Sequence, residues 1–65
     1  MRGDDDAYRR KDFFFEGDKY RAIYFNSKIA GAPVVVSVIC LERGIVMDPM
    51  KNINLIDAAI NEVSR

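Results

Sequence analysis

The run Val34-Val35-Val36-Ser37-Val38-Ile39-Cys40-Leu41 constrains this chain more than any other stretch. Its β-branched residues are stiff at χ1 and pack well on a pleated surface, so they favour extended backbone. The apolar pattern is continuous rather than alternating, which predicts a central strand covered on both faces. Gly31, Pro33 and Ser37 interrupt the wider uncharged stretch 29–41. That stretch falls short of the ~20 apolar residues a membrane-spanning helix needs, so no membrane insertion is expected.

A central strand needs neighbours, and the flanking sequence supplies them. Phe13-Phe14-Phe15 and Tyr20-Arg21-Ala22-Ile23-Tyr24-Phe25 are β-prone runs around Glu16-Gly17-Asp18-Lys19. Gly17-Asp18 as the central pair predicts a type II′ hairpin turn. Ala30-Gly31-Ala32-Pro33 breaks the chain before the valines, and Arg43-Gly44 turns it into a short strand at Ile45-Val46-Met47. Asp48-Pro49 reads as a cap followed by a first helical residue. Beyond it Met50, Ile53, Ile56, Ile60 and Val63 recur at spacings of three and four, with Leu55 and Ala59 widening the stripe. This is an amphipathic helix, for which Asn54 with Asp57 offers a later start.

The expected fold is therefore α+β: a three- or four-stranded antiparallel β-meander followed by one C-terminal amphipathic helix packed on the sheet. Sixty-five residues make a single small domain, 1–65. Residues 1–11 form a charged N-terminal segment. Its acids precede Arg9, Arg10 and Lys11, an order that fits either a short helix or a solvated tail.

Strand alternation then sorts the side chains. A Gly17-Asp18 turn pairs Phe15 with Tyr20, Phe13 with Ala22 and Lys11 with Tyr24 on one face. Phe14, Arg21, Asp12, Ile23, Arg10 and Phe25 share the other, with Phe14 and Arg21 expected opposite each other. Even-length turns carry Val35, Ser37, Ile39, Leu41 and Val46 to the first face and Val34, Val36, Val38, Cys40 and Met47 to the second. Both faces are apolar at their centres, and one helix covers one face. The first is assigned to the helix, with Ile56 and Ile60 against the sheet. The second is expected to be closed by self-association, because a bare apolar face of that size is unusual on a monomer.

Composition removes most chemistries. The chain has no histidine, so the usual neutral-pH base and the commonest zinc ligand are missing. Its one cysteine, Cys40, lies in the apolar run and allows no intrachain disulfide. No cofactor and no metal are expected. A small domain without such staples is held by packing or by association, which again favours a homodimer. A lone buried thiol suits a reducing compartment, and the acidic start Met1-Arg2-Gly3-Asp4-Asp5-Asp6 is unlike a secretion leader. A cytoplasmic location is expected.

Two motifs are best read plainly. Arg2-Gly3-Asp4 matches a tripeptide that adhesion receptors read, but one cysteine allows no intrachain disulfide and no secretion is expected, so it is read as a solvated terminus. Asp4-Asp5-Asp6 lacks the alternate spacing, glycine turn and distal glutamate of a calcium loop. Tyr8-Arg9-Arg10-Lys11 with the phenylalanines carries the chemistry of nucleic-acid binding, cations for phosphate and rings for bases. Asp4, Asp5, Asp6, Asp12, Glu16 and Asp18 cancel that field, and the whole chain is neutral. The element order is similar in outline to double-stranded RNA-binding modules, yet the last helix lacks their basic start.

The functional expectation is a small non-catalytic protein-interaction module, an inhibitor or accessory factor that docks on a larger macromolecular machine. Aromatics beside arginine are what protein interfaces enrich. The expected interface is accordingly Arg10, Phe14, Arg21, Ile23 and Phe25. The alternative is a weak nucleic-acid binder using Tyr8, Arg9, Arg10 and Lys11.

Overall fold

The computed structural model describes residues 7–65. Strands Arg9–Phe15 (β1), Asp18–Ser27 (β2), Ala32–Cys40 (β3) and Ile45–Val46 (β4) precede the helix Ile53–Val63 (α1). The sheet order is β1-β2-β3-β4, with each strand antiparallel to its chain neighbour. α1 packs on one face of this meander against β1, β2 and β3. The α+β architecture expected from the sequence is the one observed.

The charged N-terminal segment divides. Arg9, Arg10 and Lys11 are strand residues, paired with Tyr24, Ile23 and Ala22, so the expected short helix or tail does not extend to them. Ladder pairing to β2 satisfies their backbone, which an eight-residue helix could not do alone. Residues 1–6, with Arg2-Gly3-Asp4 and Asp4-Asp5-Asp6, lie outside the described residues.

The β1–β2 turn is centred on Glu16-Gly17, not Gly17-Asp18. Phe15 pairs with Asp18, and both central residues have positive φ, 50° for Glu16 and 87° for Gly17. Two positive values define the type I′ geometry, whose twist matches the flanking strands. The register consequently moves by two residues: Phe13 faces Tyr20 and Lys11 faces Ala22. A shift of two preserves the alternation, so the two expected faces of this hairpin stand.

In β3 the alternation changes. Tyr24 pairs with Val35, but Ile23 pairs with Ser37, leaving Val36 as the extra residue of a β-bulge. Before the bulge Val35 faces the helix and Val34 faces away, as expected. After it Val38 and Cys40 are buried under α1 and Met47 packs there too. Ser37, Ile39 and Val46 turn to the opposite face, while Leu41 lies beyond the end of β3. The expected placement of these residues is thus reversed by one inserted residue within a strand, not by an odd-length loop.

The helix face also differs from the expected one. Leu55, Ala59 and Val63, four residues apart, are its buried positions, whereas Ile53 and Ile60 are exposed and Ile56 is half-buried. Ala22 and Ala59 are fully covered, and their small side chains let the helix lie close to the sheet. Phe13 and Tyr20 stack at 5.9 Å beneath it, with Phe15 edge-on to Tyr20. Asp48 caps a local turn, accepting the Met50 N–H at 2.9 Å on its side chain, and Asn52 is the N-cap of the helix itself. At the far end Lys11 Nζ donates to the Glu62 carbonyl at 3.0 Å. It places a cation where the helix dipole is negative and the last turn has no basic residue of its own.

Candidate functional site

The face of the sheet away from α1 has no covering element among the described residues. Register places Arg10, Asp12 and Phe14 of β1, Lys19, Arg21, Ile23 and Phe25 of β2, and Val34 and Ile39 of β3 on it, with Val46 at the edge. All five expected interface residues, Arg10, Phe14, Arg21, Ile23 and Phe25, therefore share this surface. Phe14 is 72% exposed, whereas Arg21, Ile23 and Phe25 are half-buried by their neighbours.

The partners within the face differ from those expected. Phe14 stands opposite Lys19, whose ammonium lies 6.0 Å from the ring centroid, within cation–π range. Arg21 stands opposite Asp12, and the guanidinium donates to both carboxylate oxygens, at 2.7 Å and 3.1 Å. That hydrogen bonding holds the Asp12 carboxyl below its usual range and raises Arg21. Tyr8 meets Phe25 edge to face at 6.0 Å and extends the aromatic surface beyond the strand end. The face is an apolar field of Ile23, Phe25, Val34 and Ile39, crossed by one fixed ion pair and rimmed by Arg10 and Lys19.

The alternative set is split by the same alternation. Arg10 lies on the open face beside Ile23, whereas Arg9 and Lys11 project on the helix side, opposite Tyr24 and Ala22. Lys11 is committed to the Glu62 carbonyl. Three cations consecutive in sequence thus present no common surface to a phosphate backbone.

Sequence reasoning missed Asp12 and Lys19 as partners because it set the hairpin register two residues off. It missed Ile39 and Val46 because a bulge leaves no composition signal inside a run of valines.

Elsewhere the chemistry is sparse. Cys40 is 1% exposed, and Arg43 hydrogen-bonds its thiol and draws it below the usual thiol value. Burial raises the Tyr20 hydroxyl above its usual value. An open hollow of about 480 Å³ lies between Phe15-Glu16 and the residues 50–55 leading into α1. Among the described residues no group of three or more acidic or sulfur side chains is placed to hold a metal ion. No helix among them is long and apolar enough to cross a membrane. No family model, curated protein or solved structure matches the chain.

Proposed function

We propose that this chain is a non-catalytic protein-interaction module that works as a homodimer and docks on a larger macromolecular machine as an inhibitor or accessory factor. One observation carries the reading: α1 covers one face of the sheet, and the uncovered face keeps Phe14, Ile23, Phe25 and Ile39 together with two arginines. Aromatic side chains and arginine dominate binding energy when a partner desolvates them, and an Arg21 already fixed by Asp12 loses little freedom on binding. The proposal includes a reducing cytoplasmic setting, in which Cys40 remains a thiol.

The test is capture from native lysate with and without nuclease, comparing the wild-type chain with Phe14→Ser/Arg10→Glu and with Asn61→Asp on the exposed helix surface. The reading expects one protein captured in defined proportion by wild type and Asn61→Asp, unaffected by nuclease and lost with the double variant. Capture that vanishes with nuclease would transfer the function to the nucleic-acid reading. Capture indifferent to the double variant would remove the open face from it.

A further inference from the structure

The open face combines its apolar field with cations that lack a counter-charge. Register gives it four charged side chains, Arg10, Asp12, Lys19 and Arg21. Arg21 occupies both carboxylate oxygens of Asp12. Among the described residues no carboxylate ion-pairs with Arg10 or Lys19, and both are exposed. Glu42 reaches the Lys19 backbone N–H at 3.3 Å rather than its ammonium. The face thus keeps one uncompensated cation at each end, Arg10 beside Ile23 and Lys19 over Phe14. Four residues of β1 separate the two ends, about 13 Å at ~3.3 Å per residue.

The backbone of this face decides the form of an occupant. β2 is hydrogen-bonded on both sides, to β1 and to β3, so the face has no free ladder for an arriving strand. A single strand laid across it would bury its own N–H and C=O groups unpaired, whereas a helix arrives with them satisfied internally. On the other side of the sheet α1 does this with eleven residues and one stripe of buried positions.

The charges decide its chemistry. We infer that the open face takes an amphipathic helix of a partner protein, whose apolar stripe covers Phe14, Ile23, Phe25 and Ile39 and whose acids pair with Arg10 and Lys19. At ~1.5 Å rise per residue, those acids stand about nine residues apart. Nucleic acid would bring phosphates to the same cations, but Arg9 and Lys11 lie on the helix side of the sheet. Ile23 and Ile39 give a base no ring to stack on. The inference rests on the open face being the protein-binding surface of the proposed function, and it names the partner's chemistry.

Fluorescence anisotropy of the full chain with side-chain-bridged helical peptides tests it. The peptides share one leucine stripe and carry Glu, Gln or Lys at two positions about nine residues apart. The Glu peptide is expected to bind at least about fivefold more tightly than the Gln peptide, the effect of two exposed ion pairs, and the Lys peptide more weakly than either. Arg10→Glu/Lys19→Glu is expected to reverse that order, and Phe14→Ser to weaken every peptide. Should the double variant fail to fold, salt decides on the wild type. An advantage of Glu over Gln that shrinks as salt rises supports the ion pairs, and a constant one overturns them. Equal binding of Glu and Gln peptides, both weakened by Phe14→Ser, would overturn the acidic partner and leave the open face a protein site. Peptide binding that ignores Phe14→Ser, or no binding at all, would remove the open face itself. A single-stranded oligonucleotide bound more tightly than the Glu peptide would give the cations to phosphate. A wild-type dimer in sedimentation that Phe14→Ser dissociates would give the face to a second copy. A preference for Glu that emerges only after deletion of residues 1–6 would give the cations to the chain's own Asp4-Asp5-Asp6 and overturn the partner.

Discussion

Asp12 and Arg21 face each other across β1 and β2 and close a two-point ion pair, Arg21 Nε 2.7 Å from one carboxylate oxygen and Nη2 3.1 Å from the other. The pair spans the middle of the open face, so it fixes the position of Arg21 before any partner arrives.

Its stability contribution has a definite pH sign. Asp12 titrates below its usual value of 3.8 because Arg21 hydrogen-bonds the ionised form. The contribution is complete above that usual value and is lost as pH falls from there through the lower folded value. Thermal melts of wild type and Asp12→Asn are expected to differ near neutrality and to converge in acid. Arg21→Glu, which puts two carboxylates opposite each other, is expected to melt lower than Arg21→Gln at neutral pH. Equal melting of wild type and Asp12→Asn at neutral pH would show that the ion pair has no structural weight.

The helix face gives the largest stability contrasts. Leu55→Ala removes a side chain that is 3% exposed and is expected to cost ~2–5 kcal/mol. Ile53→Ala, at an exposed position of the same helix, is expected to stay within ~0.5 kcal/mol in a monomeric protomer. Denaturant melts at low concentration rank the two, and a larger loss at Ile53 would put the wrong stripe on the sheet.

The β1–β2 turn carries a local strain that substitution can relieve or increase. Glu16 occupies left-handed backbone at φ 50°, a conformation asparagine adopts more readily. Glu16→Asn is expected to stabilise by a few tenths of a kcal/mol, about the gain of relieving one such residue. Gly17→Ala, at φ 87°, is expected to destabilise by ~1–2 kcal/mol. The same melts check both signs.

Cys40 separates reactivity from access. Arg43 draws the thiol below its usual value, yet the side chain is 1% exposed. Labelling of the native protein by a disulfide reagent is therefore expected to be slow and to accelerate on unfolding. Arg43→Ala is expected to move the thiol titration upward, read from thiolate absorbance. An unchanged titration would remove Arg43 as its cause.

The meander, the helix and the sharing of one face by Arg10, Phe14, Arg21, Ile23 and Phe25 were legible because period-two and helical periodicities survive in the sequence. What was not legible depended on single-residue geometry. Gly17 announced a turn without saying whether it was its first or second central residue, and only Glu16 accepting positive φ decided it. Val36 is chemically the same as Val34, Val35 and Val38, so no residue type marks which valine is squeezed out of the ladder. Ile53, Ile56 and Ile60 outrank Leu55 and Ala59 in apolar bulk, but close approach to the sheet selects the small residue and its neighbours four apart.

The meander order has a consequence for how the chain is made. Each strand pairs with the one synthesised just before it, so the sheet closes through short loops at little entropic cost. The helix comes last, and it supplies Leu55, Ala59 and Val63 to a core whose other members are already in place. Until residues 53–63 pack, both faces of the sheet stay bare, however quickly its strands pair. That interval, rather than strand pairing, is when Phe13, Tyr20 and Val38 are open to a wrong neighbour or a chaperone.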